Sequence, residues 1–285
     1  MMASTSFFIP KGMTLGVHLP FSGAVAIAAT APAIAKPRNF KQYLVIILTI
    51  VLSIAAAADI SNASQTLIFN TSNAPPNSTD TATGSCDRIL TEAFRRLGMN
   101  LKIVQLPSER ALQNANQGID DGNFVRVEGM EKMYPNLIRV PEAITTLEFT
   151  AFTKNDSIRI TNWESLVPYR VAIVNGWKIL ENNIVGVKSL TKVRDEHVLF
   201  PLLLTGKVDI VVYDRRQGEY ALKQLGAEGV RALQPPLIVK PMYPYLNKRH
   251  ADLVPKLDQI LKAMKKDGTV KRIVTETLHT FSIQE

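Results

Sequence analysis

The side chains in this 285-residue chain that could do chemistry are scattered rather than grouped. Glu109, Glu142, Glu148 and Asp214 could each move a proton, but no motif fixes two of them together, as paired acid–base work requires. His197, His250 and His279 stand far apart with no HExxH-like or Cys/His spacing, so a metal site is not expected. There is no GxSxG turn and no glycine-rich phosphate loop. Cys86, the only cysteine, has no candidate base beside it in sequence and reads as a packed thiol. These residues assign no catalytic residue, metal or cofactor.

A binding site needs elements to position it, and one pattern is written twice, about 88 residues apart: an amphipathic helix, a Gly, two residues, an Asp and a hydrophobic strand. The copies are Ser108–Arg126 (SERALQNANQGIDDGNFVR) and Val198–Tyr213 (VLFPLLLTGKVDIVVY). Gly118 and Gly206 can take the left-handed conformation that ends a helix without a Cβ clash. Asp121 and Asp209 then fall where a strand begins. Two such units imply two α/β lobes of similar build, and ligands of open α/β sheets bind outside the carboxyl ends of the strands. The cleft between the lobes is the expected site.

The N-terminus carries an uncharged apolar run, Tyr43–Ala57, preceded by Lys36, Arg38 and Lys41 and followed by Ala56-Ala57-Ala58 and Asp59. These are the parts of a secretory signal peptide, and the run is shorter than the roughly 20 residues of a membrane span. Cleavage is expected after Ala58, with a retained membrane anchor as the alternative. About 42 residues precede the run, more than a signal peptide needs, so either translation starts further in or the leader is long. Four of the formal +8 charges lie in residues 1–58, and the remainder has 29 Lys and Arg against 25 Asp and Glu. Without a basic run or aromatic-interleaved basic stripe, this does not argue for nucleic acid. Cys86 lies about 28 residues past the leader, too far for lipid attachment at a signal-peptide boundary. A soluble periplasmic protein, expected to be a monomer, is the reading.

Beyond residue 58 strands and helices alternate. Gln65–Asn70 reads as a strand, Asn73–Ser85 as a Pro/Ser/Thr-rich loop, and Asp87–Leu97 as a helix with Ile89, Leu90, Ala93, Phe94 and Leu97 on one face. Leu101–Leu106 is the next strand, and the order through the first copy is that of a parallel sheet. Leu137–Lys154 is extended and reads as a crossing into the second lobe. There, Trp163–Leu166 gives a helical turn, Arg170–Val174 a strand, Glu181–Ile184 a weak helix, and Arg216–Leu225 a helix after the second copy. Ala232–Tyr245 returns extended, and amphipathic helices at Ala251–Met264 and Val270–Leu278 close the chain. The organisation expected is a leader at 1–58, a first lobe from 64–150 plus 247–285, and a second lobe at 151–246.

Several of these stretches together resemble the family 3 extracellular solute-binding proteins, the amino-acid-binding class of ABC-transporter receptors. They are IFNTSNAPP, LTEAFRRLGMNLKIVQLPSERALQNANQGIDDG, YRVAIVNGWKI, GKVDIVVYDRRQG and LDQILKAMKKDGTVKRI. The resemblance covers nearly all of 64–280. It implies a two-lobed periplasmic-binding-protein-like fold, each lobe a mostly parallel sheet flanked by helices, joined by two crossing segments. It also implies a small-molecule solute held between the lobes, a permease partner in the membrane, and no enzyme activity.

Site residues follow from the same resemblance. Asp214 matches an Asp that binds the ligand ammonium, with Tyr213 beside it; the plainer alternative is an N-cap for the helix that follows. Asn175-Gly176-Trp177-Lys178 matches a turn whose backbone amides cradle an anion, and Trp177 would cover an apolar ligand or simply pack. The Arg that clamps the ligand carboxylate in typical members has no counterpart in Val127–Met133. Arg126 could take over that clamp through its planar fork, or lie on the surface paired with Glu128. Glu109 and Arg110 could reach the same mouth, although an acid at a helix N-terminus is ordinarily just favourable dipole chemistry. The departure puts an ordinary α-amino acid in doubt as ligand. Two rivals remain open: a dehydratase-like periplasmic enzyme of the same fold, and a sensing module acting on a membrane partner.

Overall fold

The computed structural model describes residues 65–283; the leader and the expected cleavage after Ala58 lie outside the described residues. The strands are β1 (Thr66–Thr71), β2 (Asn100–Gln105), β3 (Gly122–Arg126), β4 (Leu137–Arg139), β5 (Thr145–Thr153), β6 (Arg170–Val174), β7 (Ser189–Val193), β8 (Ile210–Asp214), β9 (Arg231–Ala232) and β10 (Ile238–Asn247). The helices are α1 (Ser85–Arg96), α2 (Ser108–Gln117), α3 (Lys178–Asn183), α4 (Glu196–Leu204), α5 (Arg215–Gln224), α6 (Val254–Lys266) and α7 (Thr269–Ile283).

The strands follow one path in the order β2-β1-β3-β10-β5-β8-β6-β7, with β4 added on β10 and β9 on β5. At one end β2, β1 and β3 are parallel, and at the other so are β8, β6 and β7. Between them run β10 and β5, antiparallel to each other and to their neighbours. The molecule is therefore a two-lobed α/β fold with two crossing strands, as the resemblance implies. Each lobe has apolar clusters of its own. Phe69, Phe94 and Phe124 pack with Leu257, Leu261 and Met264 of α6 in the first lobe, and Leu112, Tyr134 and Tyr245 form a second cluster there. Ile173, Ile210 and Val212 lie in one cluster of the second lobe, and Phe152, Phe200 and Tyr213 in another.

The repeated unit folds the same way twice. Gly118 and Gly206 end α2 and α4 at φ 76° and 68°. Asp121 then clips onto β1: its N–H donates to Ile68 O at 2.7 Å, and its carboxylate accepts from Ile68 N at 2.7 Å. Asp209 does the same to β6, through Arg170 O at 2.9 Å and Arg170 N at 2.8 Å. Ile68 and Arg170 each stand one residue before the first pair with the strand that follows Asp121 or Asp209, and the carboxylate satisfies an N–H that this ladder does not reach.

Two expectations needed correction. Leu137–Lys154 is not one extended crossing but β4 and β5 separated by a bend at 140–144, where Pro141 has no N–H to give to a ladder. The backbone keeps contact through Val140 N to Pro244 O and Ile144 N to Met242 O, both 2.9 Å, so both strands follow β10. Strand β7 was not foreseen. It pairs only with β6, at the end of the strand order, and no residue in it is fully buried, so it lacks the alternation that marks a half-buried strand.

Candidate ligand-binding site

Strand β3 carries a bulge. Tyr243 of β10 pairs with Arg126 and Tyr245 with Asn123, so β3 holds one residue more than its partner across that step. Val125 absorbs it at φ 59°, a left-handed conformation that costs a β-branched residue of order 1–3 kcal/mol. Bulges re-aim side chains, and Arg126, the next residue, lines the cleft between the lobes.

Arg126 is buried and firmly held. Nε donates to Asn123 Oδ1 at 2.5 Å, Nη1 to Ser108 Oγ at 2.6 Å and Nη2 to Ser108 O at 3.0 Å. A guanidinium has five N–H donors, so two remain. No carboxylate among the described residues lies within 4 Å of it; Glu128 instead faces Lys240 at 3.8 Å. Burial pulls the Arg126 pKa down to about 10, and Tyr134 and Glu109 oppose it only weakly. It stays charged at neutral pH, desolvated and without a counter-ion.

The cleft encloses about 500 Å³ of atom-free space, its open mouth included. The first lobe contributes Thr71, Ser72, Ser78, Val125, Arg126 and Met130; the crossing strands contribute Leu147, Phe149 and Met242; the second lobe contributes Gly176, Trp177, Lys178, Ile179 and Gln217. Trp177 stacks on Tyr213, with centroids 4.5 Å apart and planes 13° from parallel, and meets the edge of Phe149 at 5.7 Å. It both packs and lines the site, while Tyr213 lies buried behind it, its hydroxyl 3.3 Å from Glu196.

The lobes touch at the rim. Gly176, at φ 87°, faces the backbone of Ser108–Glu109 so closely that a Cβ there would lie 2.4 Å from Glu109 N. Beside it, Lys178 Nζ lies 2.5 Å from Glu109 Oε2 and 2.8 Å from Glu181 Oε2, an ion pair that bridges the lobes. Burial alone would raise the Glu109 pKa, but Lys178, Gln113 and Tyr134 outweigh it and hold the carboxyl below its ordinary value. Lys178 is pushed up in return, against the effect of its burial.

Other expected site residues serve the framework. Asp214 does not line the cleft: one oxygen accepts from Gln217 N at 3.1 Å as the N-cap of α5, and the other from Glu148 N at 2.9 Å. Burial raises its pKa to about 6 despite those two amides. In the turn Asn175-Gly176-Trp177-Lys178 the first three amides already donate, to Val193 O, Glu181 Oε1 and Val174 O. Asn175 and Arg110 are exposed and outside the cleft wall. Sequence reasoning missed Gln217, which lines the cleft at 2 % exposure with its Oε1 unpartnered. Its place three residues after an Asp N-cap was the available signal.

The candidate acids are likewise occupied. Glu142 faces Lys265, Glu148 pairs with Arg215 at 2.8 Å, and Glu109 with Lys178. Among the described residues no group of three His, Cys, Asp or Glu could hold a metal ion, and no helix is long and apolar enough to cross a membrane. Cys86 is fully buried, and burial drives its thiol pKa up.

This architecture and its cleft define the two-lobed periplasmic-binding-protein-like fold. A mutant of ArgBP from T. maritima superposes with a TM-score of 0.66, over 78% of this chain and 98% of that one, at 18% identity. The substrate-binding protein of an amino acid ABC transporter gives 0.63, over 74% and 98%, at 17% identity. In sequence, the chain is similar to an uncharacterized protein of Shewanella oneidensis, 29% identical over 201 residues that cover 68% of this chain and 75% of the relative. No protein-family model matches the chain.

Proposed function

We propose that this protein is an extracytoplasmic solute-binding protein that closes its two lobes on a small carboxylate-bearing solute and presents it to an ABC permease in the membrane. One observation carries the reading: Arg126 is a buried cation in the interlobe cleft with spare donors and no protein carboxylate beside it. An uncompensated buried charge is costly, and a ligand carboxylate would supply the missing partner in charge-assisted hydrogen bonds worth about 1.5–3 kcal/mol. The signal-peptide-like leader supports export to the periplasm. The likeness to an amino acid ABC transporter's binding protein supports the transport role. Binding without turnover is favoured because the candidate acids are taken up by lysine, arginine or backbone partners, and none stands free in the cleft.

A thermal-shift screen of the purified protein against small carboxylic acids, amino acids and amines tests it. A ligand at 100 times its dissociation constant stabilises the fold by about 2.7 kcal/mol. The expected result is stabilisation by carboxylates that is lost in Arg126→Met. Stabilisation by amines alone, or turnover of a bound acid followed by NMR, would overturn the reading.

A further inference from the structure

The wall opposite Arg126 narrows the ligand further than its carboxylate does, and this step rests on the binding reading above. Gln217 lies at the start of α5, buried at 2 % exposure, and its backbone N–H is taken by Asp214. Its side-chain Oε1 is sealed from solvent without a hydrogen-bond partner. Buried polar groups in native proteins are nearly always satisfied, and an exception in a cleft asks for a partner. A primary amide offers an acceptor and two donors whichever way it is turned. It is neutral, so it can satisfy a neutral group outright, whereas a charged group hydrogen-bonded to it would remain without a counter-ion.

The ligand-binding amino-acid pattern needs a carboxylate for the ligand ammonium, and here the wall has none. Both Asp214 oxygens accept from backbone amides. Glu109 is held by Lys178, Gln113 and Tyr134. The charged side chains that line the cleft are Arg126 and Lys178, both cationic. Lys178 is paired with Glu109 and Glu181, but an ammonium there would still meet Arg126, whose charge no protein carboxylate offsets, in a poorly solvated space. Between the polar ends, Trp177, Phe149, Leu147, Met242, Val125 and Ile179 form an apolar surface.

We propose that Gln217 and Arg126 together select a monocarboxylate with an apolar body and a neutral hydrogen-bonding group such as a hydroxyl, and select against the corresponding α-amino acid. The hydroxyl donates to Gln217 Oε1 and accepts from its NH₂, while the carboxylate takes the free donors of Arg126.

The test is a matched trio titrated calorimetrically into the purified protein: 3-phenyllactate, phenylalanine and 3-phenylpropionate, which differ only in a hydroxyl, an ammonium or a hydrogen. An aliphatic trio, 2-hydroxyisocaproate, leucine and 4-methylpentanoate, repeats it with a smaller body. The expected order in whichever trio binds is hydroxy acid first, by about tenfold over the unsubstituted acid, with the amino acid weakest. Gln217→Leu should abolish the preference, so that the hydroxy acid and the unsubstituted acid bind alike in that variant. Gln217→Glu, nearly isosteric, should reverse the order in favour of the amino acid. An amino acid binding as tightly as its hydroxy acid, or a hydroxy-acid preference that survives Gln217→Leu, overturns this inference while carboxylate binding through Arg126 stands. Failure of both trios while another carboxylate stabilises the protein through Arg126 in the thermal-shift screen overturns this inference alone; failure of every carboxylate in that screen overturns the solute-binding reading, and this one with it.

Discussion

The two copies of the repeated unit begin alike and end oppositely. Asp121 and Asp209 each clip the first strand of their lobe through one N–H donated and one accepted. Five residues further on, the first copy arrives at Arg126 and the second at Asp214. Both are buried charges at the ends of equivalent strands, yet their fates differ. Arg126 is turned by the Val125 bulge into the cleft and keeps unspent donors. Asp214 sits on an unbulged strand and has both oxygens taken by backbone amides. One copy thus leaves its charge facing the cleft with donors unspent, while the other uses it to hold α5 and β5 in place. Equivalent positions in an internal repeat share a backbone, and what surrounds the side chain decides whether it binds or builds.

The largest effect expected from breaking this asymmetry is at Arg126. Arg126→Met should weaken carboxylate binding by about a hundredfold or more, near 3 kcal/mol, measured by calorimetry. Because Ser108 and Asn123 would also lose a partner, Arg126→Lys is the control: it keeps the charge, loses the fork and should bind at an intermediate level. Next comes the rim. Gly176→Ala puts a methyl group into the Glu109 backbone and should lower affinity by about tenfold by disfavouring the closed arrangement. The isolated strain of a left-handed alanine adds about 1 kcal/mol of destabilisation, readable in urea unfolding.

A smaller change is expected from Lys178→Met, which removes the ion pair across the lobes. Affinity should fall a few-fold, about 1 kcal/mol or less for a pair that is still partly solvated. Its pH dependence has a definite sign. The Glu109 pKa lies below its ordinary 4.5, so the pair's contribution is complete above that value and is lost as the pH falls through the lowered one. The wild-type affinity should therefore drop in acid more steeply than that of the variant.

The smallest effect on binding belongs to Asp214. Asp214→Asn should leave carboxylate affinity within about twofold, since asparagine also caps helices; a hundredfold loss would make Asp214 a ligand group and end the comparison. Its signature is in stability. The folded pKa of about 6 lies above the unfolded 3.8, so the native state holds a proton that the unfolded state has released. This group's contribution is present below pH 3.8 and lost as the pH rises through 6, by up to about 3 kcal/mol. Denaturation midpoints at pH 4.5 and 7 should show that slope in the wild type and not in the variant.

Much of this fold was legible in the residues. Ile89, Leu90, Ala93 and Phe94 announce α1 by their spacing, and the twin Gly-x-x-Asp turns announce two lobes. What could not be read is whatever depends on a distant partner. The N-cap role of Asp214 was readable, but its second oxygen is taken only because β5 brings the Glu148 amide to it from 66 residues away. Arg126 enters the cleft because the register of β3 against β10 slips at Val125, and a slip between strands far apart in sequence leaves no local mark. Gln217 is one polar residue among several at the start of a helix; only the packing around it shows that its amide is buried.

The two crossing strands carry a mechanical consequence. Beta-5 and β10 are hydrogen-bonded side by side where Ile238–Met242 runs against Thr145–Phe149. Tethers bonded to each other act as a leaf hinge, which bends readily across its plane and resists shear within it. Separation of the lobes is thereby reduced to one angle, set by a few backbone torsions. Occupancy of a buried cleft becomes a shape that can be read from outside.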